Sequence, residues 1–101
     1  GDIAYEPAIL LQGGKIPAET ATLHLRAVSD LFEHIPNEGF TAEQLKSILW
    51  PYATAQGRGN VLWPLRVALS GKEQSPDPFT IAALIGKETA RARIAEAIKK
   101  L

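Results

Sequence analysis

Few residues in this chain are of a type and spacing to do chemistry alone. His24 and His34 stand ten apart, not at the three- or four-residue spacing that puts two imidazoles on one helix face for a metal, and both read as surface residues. Ser70 and Ser75 have no base at a fixed spacing that would activate a hydroxyl. Gly57 and Gly59 follow no strand pattern and precede no Gly-Lys-Ser/Thr run, so they do not form a phosphate loop. The carboxylates are scattered and give no acid/base pair. There is no Cys, which removes thiol nucleophiles, disulfides and cysteine-based zinc sites and fits a reducing compartment, so cytoplasm is the expected location. These 101 residues are expected to hold no catalytic centre, no metal and no cofactor.

What remains is charge. The net charge is zero, yet the distribution is polar along the chain. Residues 1 to 45 carry two bases, Lys15 and Arg26, against seven acids, and the remainder carries nine bases against four acids. Such a gradient turns the C-terminal half towards a polyanion, although segregated solvated helix faces would give the same count. The length suits one domain, too short to combine a nucleotide-binding domain with a substrate domain. No apolar run nears the roughly 18 residues of a membrane span. Because the chain lacks Met, Gly1 reads as a trimmed end and the whole as a fragment of a larger protein.

The elements that would hold these residues are helical throughout. Pro7, Gly13, Gly14 and Pro17 limit the first segment to a short helix, about residues 5 to 12. From Thr20, Leu23, Ala27, Val28, Leu31, Phe32 and Ile35 recur at helical spacing until Pro36. Thr41 and Gln44 form a capping box, Phe40 can staple onto Leu45, and Pro51 should kink or end the helix that follows. Asn60 suits an N-cap with Pro64 in the first turn, and Gly71 ends that helix. Asp77 and Pro78 open a two-turn helix over 79 to 85, closed by Gly86, and a last helix runs over 87 to 101. The expectation is an all-α cluster of about five helices, residues 1–101 forming one domain.

Residues 57 to 87, GRGNVLWPLRVALSGKEQSPDPFTIAALIGK, carry a resemblance. The LWPLRVALSG helix, the SP turn and the LIGKE tail are similar to the C-terminal anticodon-binding domain of bacterial-type glutamyl-tRNA synthetases. The set Trp63, Pro64, Leu65, Arg66, Ser70, Gly71, Lys72, Ser75, Pro76, Phe79, Gly86 and Lys87 occurs in order, which a helical bundle alone has no reason to demand. Upstream, only the layout of helices matches.

The resemblance implies a helical cage for a splayed anticodon loop. Its partners would be the tRNA(Glu) anticodon loop and the upstream domains of the same synthetase, which would supply ATP and magnesium chemistry, in a monomer with no membrane contact. By motif, Arg66 would contact an anticodon base, and Ser75, Pro76, Pro78 and Phe79 would line the base pockets. Single-stranded RNA is read by bases pulled from their stack onto planar groups and hydrogen-bonded at their edges, so Arg66 offers a plane and a donor fork, and Phe79 a stacking face. Trp63 reads as core. Arg58, Lys72, Lys87, Arg91 and Arg93 are phosphate candidates, with Lys72 favoured because it lies between the two contact segments. Asp77 and Pro78 depart from the glycine and aliphatic residue that the resemblance implies there; Pro78 has no backbone donor, and Asp77 is expected to cap. The competing readings are a helical protein–protein domain that has lost RNA binding, and, lower, a helix-turn-helix DNA binder, for which no compact turn exists.

Overall fold

The computed structural model describes residues 3–101; Gly1, read above as a trimmed end, and Asp2 lie outside them. Among these the elements are a 3-10 turn at Pro7–Leu11 and five helices, α1 Ala18–Glu33, α2 Ala42–Gln56, α3 Arg58–Ser70, α4 Pro78–Ile85 and α5 Lys87–Lys100, with a further 3-10 turn at Asn37–Gly39. No strand occurs among them. The all-α expectation holds. The Cα radius of gyration, 12.1 Å, is close to the roughly 13 Å of a folded chain of this length.

α3 is the axis of the fold. It packs on α1, α2, α4, α5 and the first 3-10 turn, and buries Val61, Pro64, Leu65, Val67, Ala68 and Leu69. α5 presents the small residues Ala90 and Ala97 with Ile94 to α1 and α3, so its backbone approaches closely. α1 contributes Leu25, Val28 and Phe32, and the Phe32 ring meets Phe40 edge-on, centroids 5.2 Å apart. α2 contributes Leu45, Leu49 and Ala53.

Local sequence explains most boundaries. Thr41 Oγ1 accepts the Gln44 amide at 3.2 Å, half of the capping box, while the Thr41 amide donates to the Gly39 carbonyl. Gly71 ends α3 at φ 73°, and a Cβ there would come within 3.1 Å of Ile3 and 3.3 Å of Tyr5 as well as straining the backbone. Asp77 caps α4, with Pro78 in its first turn.

Four expectations change. The first segment is a five-residue 3-10 turn, because Gly13 and Gly14 take positive φ directly after it. α2 runs through Pro51 to Gln56; the donor Pro51 lacks would have served Ser47, which is exposed and can bind water instead. α3 starts at Arg58, not after Asn60, so Pro64 lies mid-helix, where the backbone donor it lacks would have served exposed Asn60. His24 is 4% exposed, its Nδ1 2.7 Å from the Tyr52 hydroxyl, because α2 lays that hydroxyl against α1. Burial lowers its pKa from 6.5 and raises that of Tyr52. His34 is exposed. No described helix is long and apolar enough to cross a membrane.

Candidate nucleic-acid interface

Arg66 sits on the outer face of α3, one turn after Leu62 and one before Ser70. It is half-buried: Nη2 donates to the Glu73 carbonyl at 2.9 Å, and the guanidinium lies 5.0 Å from the centre of the Trp63 ring. Its Nε is buried with no protein partner. The Trp63 indole is fixed in turn, its N–H donating to the Ile9 carbonyl at 2.7 Å, so it serves as a wall that supports Arg66, in keeping with the core reading. Ser70 Oγ donates to the Arg66 carbonyl at 2.7 Å and accepts the Lys72 amide at 3.1 Å. Arg66 and Ser70 thus pin the loop between α3 and α4 to the helix that precedes it.

That loop delivers Asp77 and Pro78 to the groove that Arg66 faces. A cleft of about 320 Å³ is lined by Arg58, Leu62, Trp63 and Arg66 from α3 and by Asp77 and Pro78 from the start of α4. Asp77 Oδ1 accepts the Thr80 amide at 2.9 Å and Oδ2 the Thr80 hydroxyl at 2.9 Å. The Thr80 backbone N–H, ahead of its hydroxyl, holds the carboxyl below its ordinary 3.8 despite some desolvation. The charge is committed to the helix N-terminus. A second cleft, about 390 Å³, shares Leu62, Asp77 and Pro78 and extends to Lys46 and Trp50 of α2. The two form one trough beside α3.

The other motif residues are distributed unevenly. Pro78 is buried yet lines both clefts. Ser75 is half-buried with its hydroxyl on the Pro76 carbonyl at 2.9 Å, Pro76 is exposed, and neither lines the trough. Phe79 is 6% exposed and belongs to the core, lining only the second cleft, so it offers no open stacking face: the second helical residue of α4 points inward against α2 and α3.

Three phosphate candidates hold contacts within the fold. Lys87 Nζ donates to the Ile35 carbonyl at 2.8 Å, closing the C-terminal end of α1. Arg91 pairs with Glu33 at 3.2 Å and donates to Ser29 Oγ at 3.1 Å. Arg93 Nη1 donates to the Leu69 carbonyl at 2.6 Å in the last turn of α3. Each satisfies a neighbouring element because α5 lies in the angle between α1 and α3. Arg58 and Lys72 stay exposed, Arg58 in the trough. Sequence reasoning missed Lys46 and Trp50, whose signal is an aromatic off the apolar stripe of α2 with a lysine one turn earlier.

A larger cleft, about 430 Å³, lies between Tyr5 and α5. It is lined by Glu88, Glu96 and Arg93, so its charges are mixed, and burial together with Glu96 pushes the Tyr5 hydroxyl up to about 12. Among the described residues no cluster of His, Asp and Glu could hold a metal ion.

The trough therefore combines an arginine fork, an indole wall and a turn at a helix start, the equipment for holding an unstacked base. Comparison with known proteins gives the family. The family model described as an anticodon binding domain matches residues 2–98. A glutamate–tRNA ligase of Herpetosiphon aurantiacus is 34% identical over 99 residues, covering 96% of this chain and 19% of its own length. One of Dehalococcoides mccartyi is 31% identical over 102 residues, covering 99% and 20%, and one of Christiangramia forsetii is 38% identical over 77 residues, covering 73% and 15%. This chain spans a fifth or less of the length of these relatives. No solved structure matches. A family match across nearly every residue, joined to a helical fold with Arg66 facing the Asp77–Pro78 corner, places the chain in one group: it belongs to the anticodon binding domain family.

Proposed function

We propose that this chain is the anticodon-recognising part of a glutamate–tRNA ligase, which grips the anticodon loop of tRNA(Glu) while other domains of the same protein charge the tRNA with ATP and magnesium. The observation that carries this is the shared groove of Arg66, Asp77 and Pro78, set in a family of anticodon-binding domains. Arg66 approaches a base as a plane and a fork, its guanidinium exchanging the Glu73 carbonyl for a base edge. Ser75 and Pro76 act through the connecting loop that leads into the Asp77–Pro78 turn, and Phe79 acts from behind by fixing that turn. Lys72, exposed on the connecting loop, and Arg58 take phosphates. The working unit is a monomer in the cytoplasm, tethered to its upstream domains.

Titration of the anticodon stem-loop of tRNA(Glu) against this chain tests the reading. Binding weakens with salt, favours the glutamate anticodon over an unrelated one, and falls on Arg66→Ala by about 1–3 kcal/mol, the size of a lost base contact. Equal binding of both loops at every salt concentration removes the proposal and favours a protein–protein role.

A further inference from the structure

Trp50 has no task in the fold. The buried stripe of α2 is Leu45, Leu49 and Ala53, and Trp50 lies off it, 36% exposed, an unusual position for the largest apolar side chain. Two cations attend it. Lys46 Nζ lies 5.3 Å and the Arg58 guanidinium 4.8 Å from the ring centre, and both side chains are exposed and free of ion pairs among the described residues. Lys46 and Trp50 stand one turn apart on α2, whereas Arg58 comes from the first residue of α3, so the cluster bridges two helices.

The position completes the argument. The cleft lined by Lys46 and Trp50 is continuous with the Arg66 groove through Leu62, Asp77 and Pro78. Two carboxylates border it. Asp77 is held by Thr80 at both oxygens, and Glu43 sits in the first turn of α2, where the helix dipole favours its charge, so Lys46 and Arg58 are the charges available to a strand. An exposed indole with cations over its ring matches how single-stranded nucleic acid is held without sequence preference, one base stacked on the ring and its phosphates paired with cations displaced from it.

We propose that Trp50, with Lys46 and Arg58, is a second nucleotide platform that stacks an unpaired base flanking the one gripped at Arg66, without regard to its identity. The inference rests on the reading that the trough takes RNA. Lys46, on a flexible stem, swings off the ring to a phosphate as the base arrives, and Arg58, exposed on its own stem, yields the ring in the same way.

The test measures binding of this chain to the glutamate anticodon stem-loop and to one with an altered anticodon, across salt concentrations, with far-UV circular dichroism of each variant. Trp50→Leu should weaken both loops by the same factor, about tenfold, with an unchanged salt slope, and Trp50→Phe should recover most of the loss. Arg58→Ala should instead lower the slope by about one. The platform is overturned if Trp50→Leu binds both loops within about twofold of the parent, or if its loss is confined to the glutamate anticodon. Equal weakening of both loops in a parent with no anticodon preference would keep the platform and sink the function proposed above. A parent that binds neither loop sinks both.

Discussion

On α5, Lys87, Arg91 and Arg93 reach a carbonyl, a carboxylate and a carbonyl of other elements, the first and last at 2.8 and 2.6 Å. Along the trough, Lys46 and Arg58 stand over an exposed ring, and Arg66 holds one loop carbonyl with its Nε unmatched. Both groups count equally in the basic half of the sequence. Yet Lys87 and Arg93 bind carbonyls at the C-terminal ends of α1 and α3, and Arg91 a carboxylate and a hydroxyl of α1, whereas the second group lines the trough. A count of basic residues in the sequence therefore does not say which of them packing has already engaged.

Substitutions can break or sharpen this contrast. Leu65→Ala, in the fully buried side of α3 that carries both regions, should cost about 2–5 kcal/mol in urea unfolding and weaken RNA binding only through loss of folded protein. A stable variant without RNA affinity would mean that core and trough are not separable. Arg93→Met should cost about 1.5–3 kcal/mol, since the Leu69 carbonyl loses a charged donor, and leave the salt slope of stem-loop binding unchanged. A lower slope would return Arg93 to the phosphate contacts.

Asp77→Ala should cost about 1 kcal/mol by removing the α4 cap. Because the folded Asp77 has a pKa below 3.8, the unfolded chain takes up the proton first as pH falls, so the cap's contribution is full above 3.8 and fades below it. Unfolding curves of Asp77→Ala should lack that acid decline. His24, with its folded pKa under 6.5, likewise gives stability that is complete above 6.5 and diminishes as pH drops below, a smaller slope that His24→Gln should flatten. Trp50→Leu should shift stability least, within about 0.5 kcal/mol, as for a surface residue.

The helix ends were legible because their causes are local. Gly71, Gly86, Thr41 and the Asp77–Pro78 pair each act within a turn of themselves, and all end or open a helix as read. Pro64 misled, and of the two outcomes read for Pro51 the helix end did not occur, because local chemistry counts the lost hydrogen bond, while burial of α2 and α3 on both sides of each proline outweighs it. Arg66 and the Asp77–Pro78 turn were legible as one region from the motif, and the structure adds that they share a groove. Lys87, Arg91 and Arg93 were not, since their partners lie 52, 62 and 24 residues away in the chain. Trp50 was missed although its place off the apolar stripe of α2 marks it, and His24 was not legible, its partner Tyr52 being 28 residues off.

The most direct test is anticodon discrimination: the ratio of affinities for the glutamate stem-loop and an altered-anticodon stem-loop, in the parent chain and in Arg66→Ala at equal salt. A preference that Arg66→Ala abolishes, with the weaker, unspecific affinity retained through Arg58 and Trp50, is the predicted result. A ratio unchanged by Arg66→Ala would contradict the assignment of base reading to this groove.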